Sequence, residues 1–196
     1  PADAVAQGIA LVPEARATQG IIPAHSVADN MVMSVIGRIA PKGFVDRGRV
    51  RDIAEDMIAR LSIKTASRDH AVSTLSGGNQ QKVVIGKWLA TEPEILILDE
   101  PTAGIDIGSK SEIIRLVREL AQSGKGVIVI SSELSELLTA CDRILVMADG
   151  RAHQMLDRAG LDDPSETNPE HALQAAERRL QVEIQKALTI KEASHG

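Results

Sequence analysis

Cysteine occurs once in the 196 residues, at Cys141. That excludes an intramolecular disulfide and any site built on several thiolates, and it fits a reducing compartment. Aromatic residues are nearly as scarce. Phe44 and Trp88 stand without a single tyrosine, so the stacking platforms of a single-strand nucleic-acid binder are missing. Basic charge is not in excess either: the net charge is -5, which speaks against a nucleic-acid partner. No apolar run approaches the roughly 20 residues needed to span a bilayer. No basic-then-apolar signal segment opens the chain. The first residue is Pro1 rather than Met, and patterned sequence follows at once, which reads as a piece of a longer polypeptide.

What remains is ordinary for a globular protein, with 43% apolar and 25% charged residues. The length suits one domain with a sizeable core. Ile9 to Val12 reads as a buried strand closed by Pro13, and residues 14 to 26 as a loop broken by Gly20 and Pro23. Val27 to Ile39 has a helical pattern. Asp46 is placed to cap a second helix whose Val50, Ile53, Met57, Ile58 and Leu61 fall on one face. A third helix opens at Leu75-Ser76-Gly77-Gly78 and ends before Pro93.

The second half reads as strand and helix in alternation. Ile95 to Leu98 is a continuous apolar run, the pattern of a strand covered on both faces. The pattern Ser109-x-x-Glu112 predicts a capping box for the following helix, which closes near Gly124. Val127 to Ile130 and Ile144 to Ala148 are two further strands around a helix over 133–140. This order predicts an α/β fold with a parallel sheet and helices on both faces. Residues 157–169 are polar and acidic and read as a linker. Asn168 and Pro169 then start a tail helix whose Leu173, Ala176, Leu180, Ile184 and Leu188 form one stripe.

Two stretches carry chemistry. Asp99 and Glu100 follow the apolar run, so two carboxylates stand at the carboxyl end of a buried strand, where open α/β sheets bind ligands. Alternation along a strand sends neighbours to opposite sides, which divides the work between the two acids. One carboxylate suffices for a hard, well-hydrated cation such as Mg²⁺. The other can orient or deprotonate an attacking water. The plain alternative is a solvated strand end. In Leu75-Ser76-Gly77-Gly78-Asn79-Gln80-Gln81, two glycines at a helix start cost about 1 kcal/mol each relative to alanine. They allow backbone amides to approach an anion, helped by the helix dipole and the Ser76 hydroxyl. Taken alone, such a stretch is more often just a turn.

Together these stretches, with Pro101-Thr102 and Gly104-Ile105-Asp106 after them, closely resemble the ATP-binding-cassette (ABC) family in order, spacing and residue type from about Leu75 to Asp149. The wording Gly-Gly-Asn-Gln-Gln resembles the second cassette of bacterial monosaccharide importers. The resemblance implies a P-loop NTPase-like (RecA-like) core with a parallel sheet, interrupted by a helical subdomain and lacking its N-terminal P-loop portion. On that pattern residues 1–40 are partial core, 41–92 the helical signature subdomain, 93–152 core again, and 153–196 a linker with the tail helix. ATP and Mg²⁺ are the implied cofactors. Asp99 would hold the metal through water, and Glu100 sits where the family has its general base. Ser76, Gly77, Gly78 and Gln81 belong to the signature that closes on ATP held by a second cassette, and Asp106 would meet that cassette across the dimer.

Departures accompany the match. No G-x-x-x-x-G-K-[ST] loop occurs in the sequence. Glu14 stands where the family has a glutamine, and Ser132 where it has the switch histidine. The five histidines, His25, His70, His153, His171 and His195, are scattered and read as surface residues. The resemblance implies an ATP hydrolase only within a full assembly, the isolated chain being inactive. The implied partners are another cassette, membrane permease subunits and, indirectly, a periplasmic sugar-binding protein. The implied location is peripheral, on the cytoplasmic face of the bacterial inner membrane. Three rivals stay open: a hydrolysing ATPase whose P-loop lies outside this sequence, a non-transport ABC-type head, and a catalytically dead structural pseudo-cassette.

Overall fold

The structure, a computed structural model, describes residues 1–41, 43–162 and 165–194, the last seven of these for their backbone alone. His195 lies outside the described residues, as does the side chain of Leu188. The chain divides into two compact units, Pro1–Ile130 and Ser131–Gly196.

The first unit begins with α1 (Ala2–Ala6), β1 (Ile9–Val12) and a π-helical turn, Arg16–Gly20. Next come α2 (Val27–Val32), a short 3-10 turn, α3 (Ile36–Ile39) and α4 (Arg47–Arg60). It closes with α5 (Gly77–Leu89), β2 (Ile95–Asp99), α6 (Ile107–Gln122) and β3 (Gly126–Ile130). The strands pair in the order β1-β2-β3, all parallel, with Ala10 opposite Leu96 and Leu98 opposite Val129. Helix α5 packs on β1, α6 packs on β3, and the two helices meet each other. One sheet face is therefore covered: Ala10, Val12, Leu96 and Leu98 are buried. Within this unit, among the described residues, the other face is not, for Leu11 and Ile128 are 48% and 51% exposed.

The sequence-predicted helix over 27–39 is broken in the structure by the 3-10 turn Met33–Val35. Its start is firm. Ser26 Oγ accepts the Asp29 amide at 3.0 Å, and buried Asn30 clamps the preceding loop by accepting from the Ile22 amide at 2.7 Å. The Asp46 cap on α4 forms as expected, accepting the Gly48 and Arg49 amides. Helices α2, α4 and α5 pack into a layer with Met31, Ala54, Met57 and Val83 at its centre. Gly86 permits that closeness, because a Cβ there would come within 3.0 Å of Leu61 Cδ1.

The capping box at Ser109–Glu112 is not what starts α6. Asp106 is the N-cap, accepting the Ser109 amide at 3.0 Å. Glu112 turns instead to Lys82, whose Nζ donates to it at 2.8 Å. The reason is energetic. The Lys82 side chain is only 6% exposed, and a buried ammonium without a counter-charge costs more than an optional cap.

The second unit contains α7 (Leu134–Ala140), β4 (Arg143–Ala148), β5 (Arg151–Asp157), α8 (Arg158–Leu161) and α9 (Pro169–Ser194). Here two expectations fail. β4 joins no parallel sheet among the described residues; it pairs antiparallel with β5 through the turn at Gly150. The stretch expected to be linker from 157 onward is partly helical, with Leu161 buried. The cause lies in β5, whose polar residues point to solvent while Leu156 packs on a small core of Leu138, Ile144, Val146, Leu161, Ala176 and Leu180. The tail helix supplies the last two of these, so its apolar stripe has the packing role that its spacing predicts. Asn168 caps it by accepting the Glu170 amide at 2.9 Å.

Candidate functional site

The start of α5 is built from Ser76, which has an extended backbone and an exposed side chain, followed by half-buried Gly77 and buried Gly78. Ser76 Oγ accepts from the side-chain Nδ2 of Asn79 at 2.9 Å rather than capping the helix. Gln80 binds the approaching chain by donating to the Leu75 carbonyl at 3.1 Å. The glycines make room for neighbours of the same unit. A Cβ at Gly78 would lie 2.4 Å from Ser109 Cβ, and one at Gly77 would lie 2.9 Å from Arg16 Nη2. Both positions therefore have a packing reason to be glycine, which a sequence motif alone does not reveal. Gln81, one residue into the next part of the helix, is buried.

The loop between β2 and α6 lies against this helix start. Gly104 adopts φ +65, and Arg16 donates to the carbonyls of Ala103 and Gly104 at 2.6 and 3.0 Å. Asp106 ends the loop as the α6 cap. Hydrogen bonds from the Ser109 amide and then the Ser109 hydroxyl hold its carboxyl below the usual carboxylate range. Thus Ser76, Gly77, Gly78 and Asp106 are brought together, with Arg16 among them. Arg16 was missed in the sequence because no spacing rule links it to a loop some ninety residues later.

The two acids stand apart from one another in conformation. Asp99 is the last residue of β2 and, by alternation with Ile95 and Ile97, belongs to the uncovered face of the sheet. Glu100 is beyond the strand, with a left-handed φ of +43, and its amide donates to the Ile130 carbonyl at 2.8 Å. The strand ends at Asp99 and the backbone kinks at Glu100, so strand alternation does not govern the second acid. Left-handed backbone in a residue other than glycine costs energy and clusters at functional positions. Oxygen donors at a strand end suit a hard cation. No cluster of three or more His, Cys, Asp or Glu able to hold a metal occurs among the described residues.

Glu14 is exposed just after β1, and its carbonyl accepts the Arg16 amide at 2.9 Å. Ser132 is exposed in the second unit. His25, His70, His153 and His171 are all exposed, as their scatter suggests. No helix of the described residues is long and apolar enough to cross a membrane.

A parallel sheet with an acid-bearing strand end, and a glycine-started helix set against the loop that follows it, define an α/β core with a candidate ligand edge. Solved ATP-binding cassettes share it. An ABC transporter cassette in its ADP conformation matches with a TM-score of 0.66 at 25% identity, over 80% of this chain and 63% of that one. A dimeric cassette in a post-hydrolysis state with ADP and Pi matches with a TM-score of 0.62 at 24% identity, over 78% of this chain and 63% of that one.

Residues 2–103 match the family described as ABC transporter, and the chain belongs to that family. It is 48% identical to the ribose import ATP-binding protein of Rhodopirellula baltica, over 90% of this chain and 33% of the relative. It is 45% identical to the arabinose import ATP-binding protein of Rhizobium meliloti, over 83% of this chain and 33% of the relative. The chain spans about a third of the length of the curated relatives it matches.

Proposed function

We propose that this chain is part of the ATP-binding subunit of a carbohydrate importer, and that it lends the start of α5 to an ATP site completed by another cassette. Residues 1–40 and 93–152 act as core in this reading, 41–92 as the helical signature subdomain, and 153–196 as a C-terminal extension. Ser76 and the amides of Gly77 and Gly78 clamp the γ-phosphate of ATP held on the partner's phosphate loop. Asp106 meets that partner at the loop flanking α5. Asp99 holds Mg²⁺ through water, and Glu100 orients or deprotonates the attacking water of the site on its own side. That second site is weak, because Glu14 places a carboxylate where an amide would repel phosphate less. Ser132 cannot carry a proton or charge as an imidazole does. ATP-driven closure moves membrane permease subunits seated on residues 14 to 60, fed by a periplasmic sugar-binding protein. The subunit works peripherally at the cytoplasmic face of the inner membrane.

The observation that carries this reading is the exposed Ser76 at the head of α5, where the adjoining Gly77 lies against the loop that follows the acid-bearing strand. Identity to ribose and arabinose import proteins over most of the chain supports the sugar class. One observation favours a second reading. The close packing at Gly77 and Gly78 suits a structural pseudo-cassette whose signature meets no nucleotide.

Ser76→Arg in the assembled transporter separates the two. The first reading expects ATP hydrolysis to fall about 100-fold or more, as when an oxyanion donor is lost. Unchanged hydrolysis and transport would establish the pseudo-cassette. The isolated chain is expected to hydrolyse no ATP.

A further inference from the structure

Arg16 opens the π-helical turn two residues after Glu14 and reaches the loop that follows β2. Its Nη1 donates to the Ala103 carbonyl at 2.6 Å and its Nη2 to the Gly104 carbonyl at 3.0 Å. A planar fork of donors meets two successive carbonyls, each with its own nitrogen, a fixed geometry that a single ammonium nitrogen does not reproduce. The same Nη2 fills the space over Gly77, where a Cβ would lie 2.9 Å from it. The far end of the turn is fixed as well. Lys87 Nζ donates to the Gly20 carbonyl from a position only 8% exposed, and a Cβ at Gly20 would lie 2.8 Å from Val84 Cγ2. One short turn is thus tied to the later part of α5 at one end, and to the loop and the first residue of α5 at the other.

We propose that Arg16 is a positioning residue: its guanidinium holds the Ala103–Asp106 loop against the first turn of α5, so that the loop and Ser76 move as one body. For catalysis this rests on the function proposed above; the mechanical link rests on the geometry alone. Because Arg16 follows Glu14 so closely, any movement of the segment after β1 is passed to the loop and to the signature together.

Hydrogen–deuterium exchange on the full chain tests the link, read at the hydrogen-bonded amides of Ala103, Ser109 and Gln80. R16A is expected to speed their exchange by about ten-fold while the Val50 amide in α4 changes little. R16K should lose much of the protection, since one ammonium nitrogen lacks the rigid fork that gives each carbonyl its own donor. Added guanidinium at non-denaturing concentration should restore protection in R16A where ammonium does not. Equal exchange in folded R16A and the parent chain would overturn the proposal, as would full protection in R16K. If R16A does not fold, R16K and R16Q carry the same comparison.

In the assembled ATPase, R16A should lower kcat about ten-fold with KM for ATP nearly unchanged, and guanidinium should recover part of the loss. A raised KM with kcat intact would make Arg16 a ligand contact and overturn the positioning role. An assembly that hydrolyses no ATP even with Arg16 present would strike the proposed function, while the exchange result would still decide the link.

Discussion

The two faces of the β1-β2-β3 sheet are both largely apolar in sequence and unequal in the fold. Ala10, Val12, Leu96 and Leu98 lie under α5 and α6. Leu11, Ile95, Ile128 and Ile130 are exposed, and Asp99 shares their face. Parallel strands of this composition are normally covered on both sides. The contrast teaches that apolar content alone does not say which layer a chain supplies for itself. It also sets the two halves of the candidate chemistry apart: the glycine-led start of α5 belongs to the helical layer, and Asp99 to the bare side.

Stability measurements can break that contrast. Leu98→Ala on the covered face is expected to cost about 2–5 kcal/mol through lost burial and a cavity. Ile128→Gln on the bare face should change stability by less than about 1 kcal/mol and reduce self-association. Urea unfolding with sedimentation of both variants decides it. Equal costs would mean that the bare face is covered in solution.

A smaller effect probes the helical layer where it meets the site. Gly78→Ala sets a methyl 2.4 Å from Ser109 Cβ, which no rotamer of serine relieves. The expected cost is about 1–3 kcal/mol by overpacking. Adding Ser109→Gly should recover part of it, and a double-mutant cycle reads the coupling. Strict additivity would place the two residues out of contact.

The smallest expected effect concerns Glu112. Hydrogen bonding to Lys82, then the charges of Lys82 and Lys64, hold its carboxyl below the ordinary glutamate value. The folded state therefore keeps this group ionised when the unfolded chain has already bound its proton. Its contribution is complete above the ordinary carboxylate range and is lost as pH falls through the lowered value. Glu112→Gln should cost about 1–2 kcal/mol at neutral pH, reduced by the partial exposure of the pair. The difference from the parent chain should vanish in acid, as urea midpoints taken between about pH 3 and 7 would report. A difference independent of pH would remove the ion pair from the account.

Much of the first unit was legible in the sequence because its signals are local. Apolar runs marked β1, β2 and β3, Asp46 marked the α4 cap, and Gly77-Gly78 before an apolar stripe marked α5. What stayed hidden depends on distant partners. Ser109 and Glu112 have the spacing of a capping box, yet Glu112 is drawn to the buried Lys82 ammonium, which one-dimensional pattern cannot weigh. β5 escaped notice because an exposed hairpin strand of Arg151, His153 and Gln154 has the composition of a loop. The same limit applies to the site. Strand end and helix start could be placed from residue type, while the Arg16 fork and the kinked backbone of Glu100 needed three dimensions.

The central claim is that this chain furnishes one side of an ATP pocket and needs another cassette for the other. Calorimetric titration with MgATP tests it most directly, first with the chain alone and then with a cassette that carries a phosphate loop. The account predicts a Kd weaker than about 1 mM for the chain alone. It predicts tighter ATP binding by the mixture than by the added cassette on its own, a gain that Ser76→Arg removes. Micromolar ATP binding by the isolated chain, or a mixture no tighter than the added cassette, would contradict it.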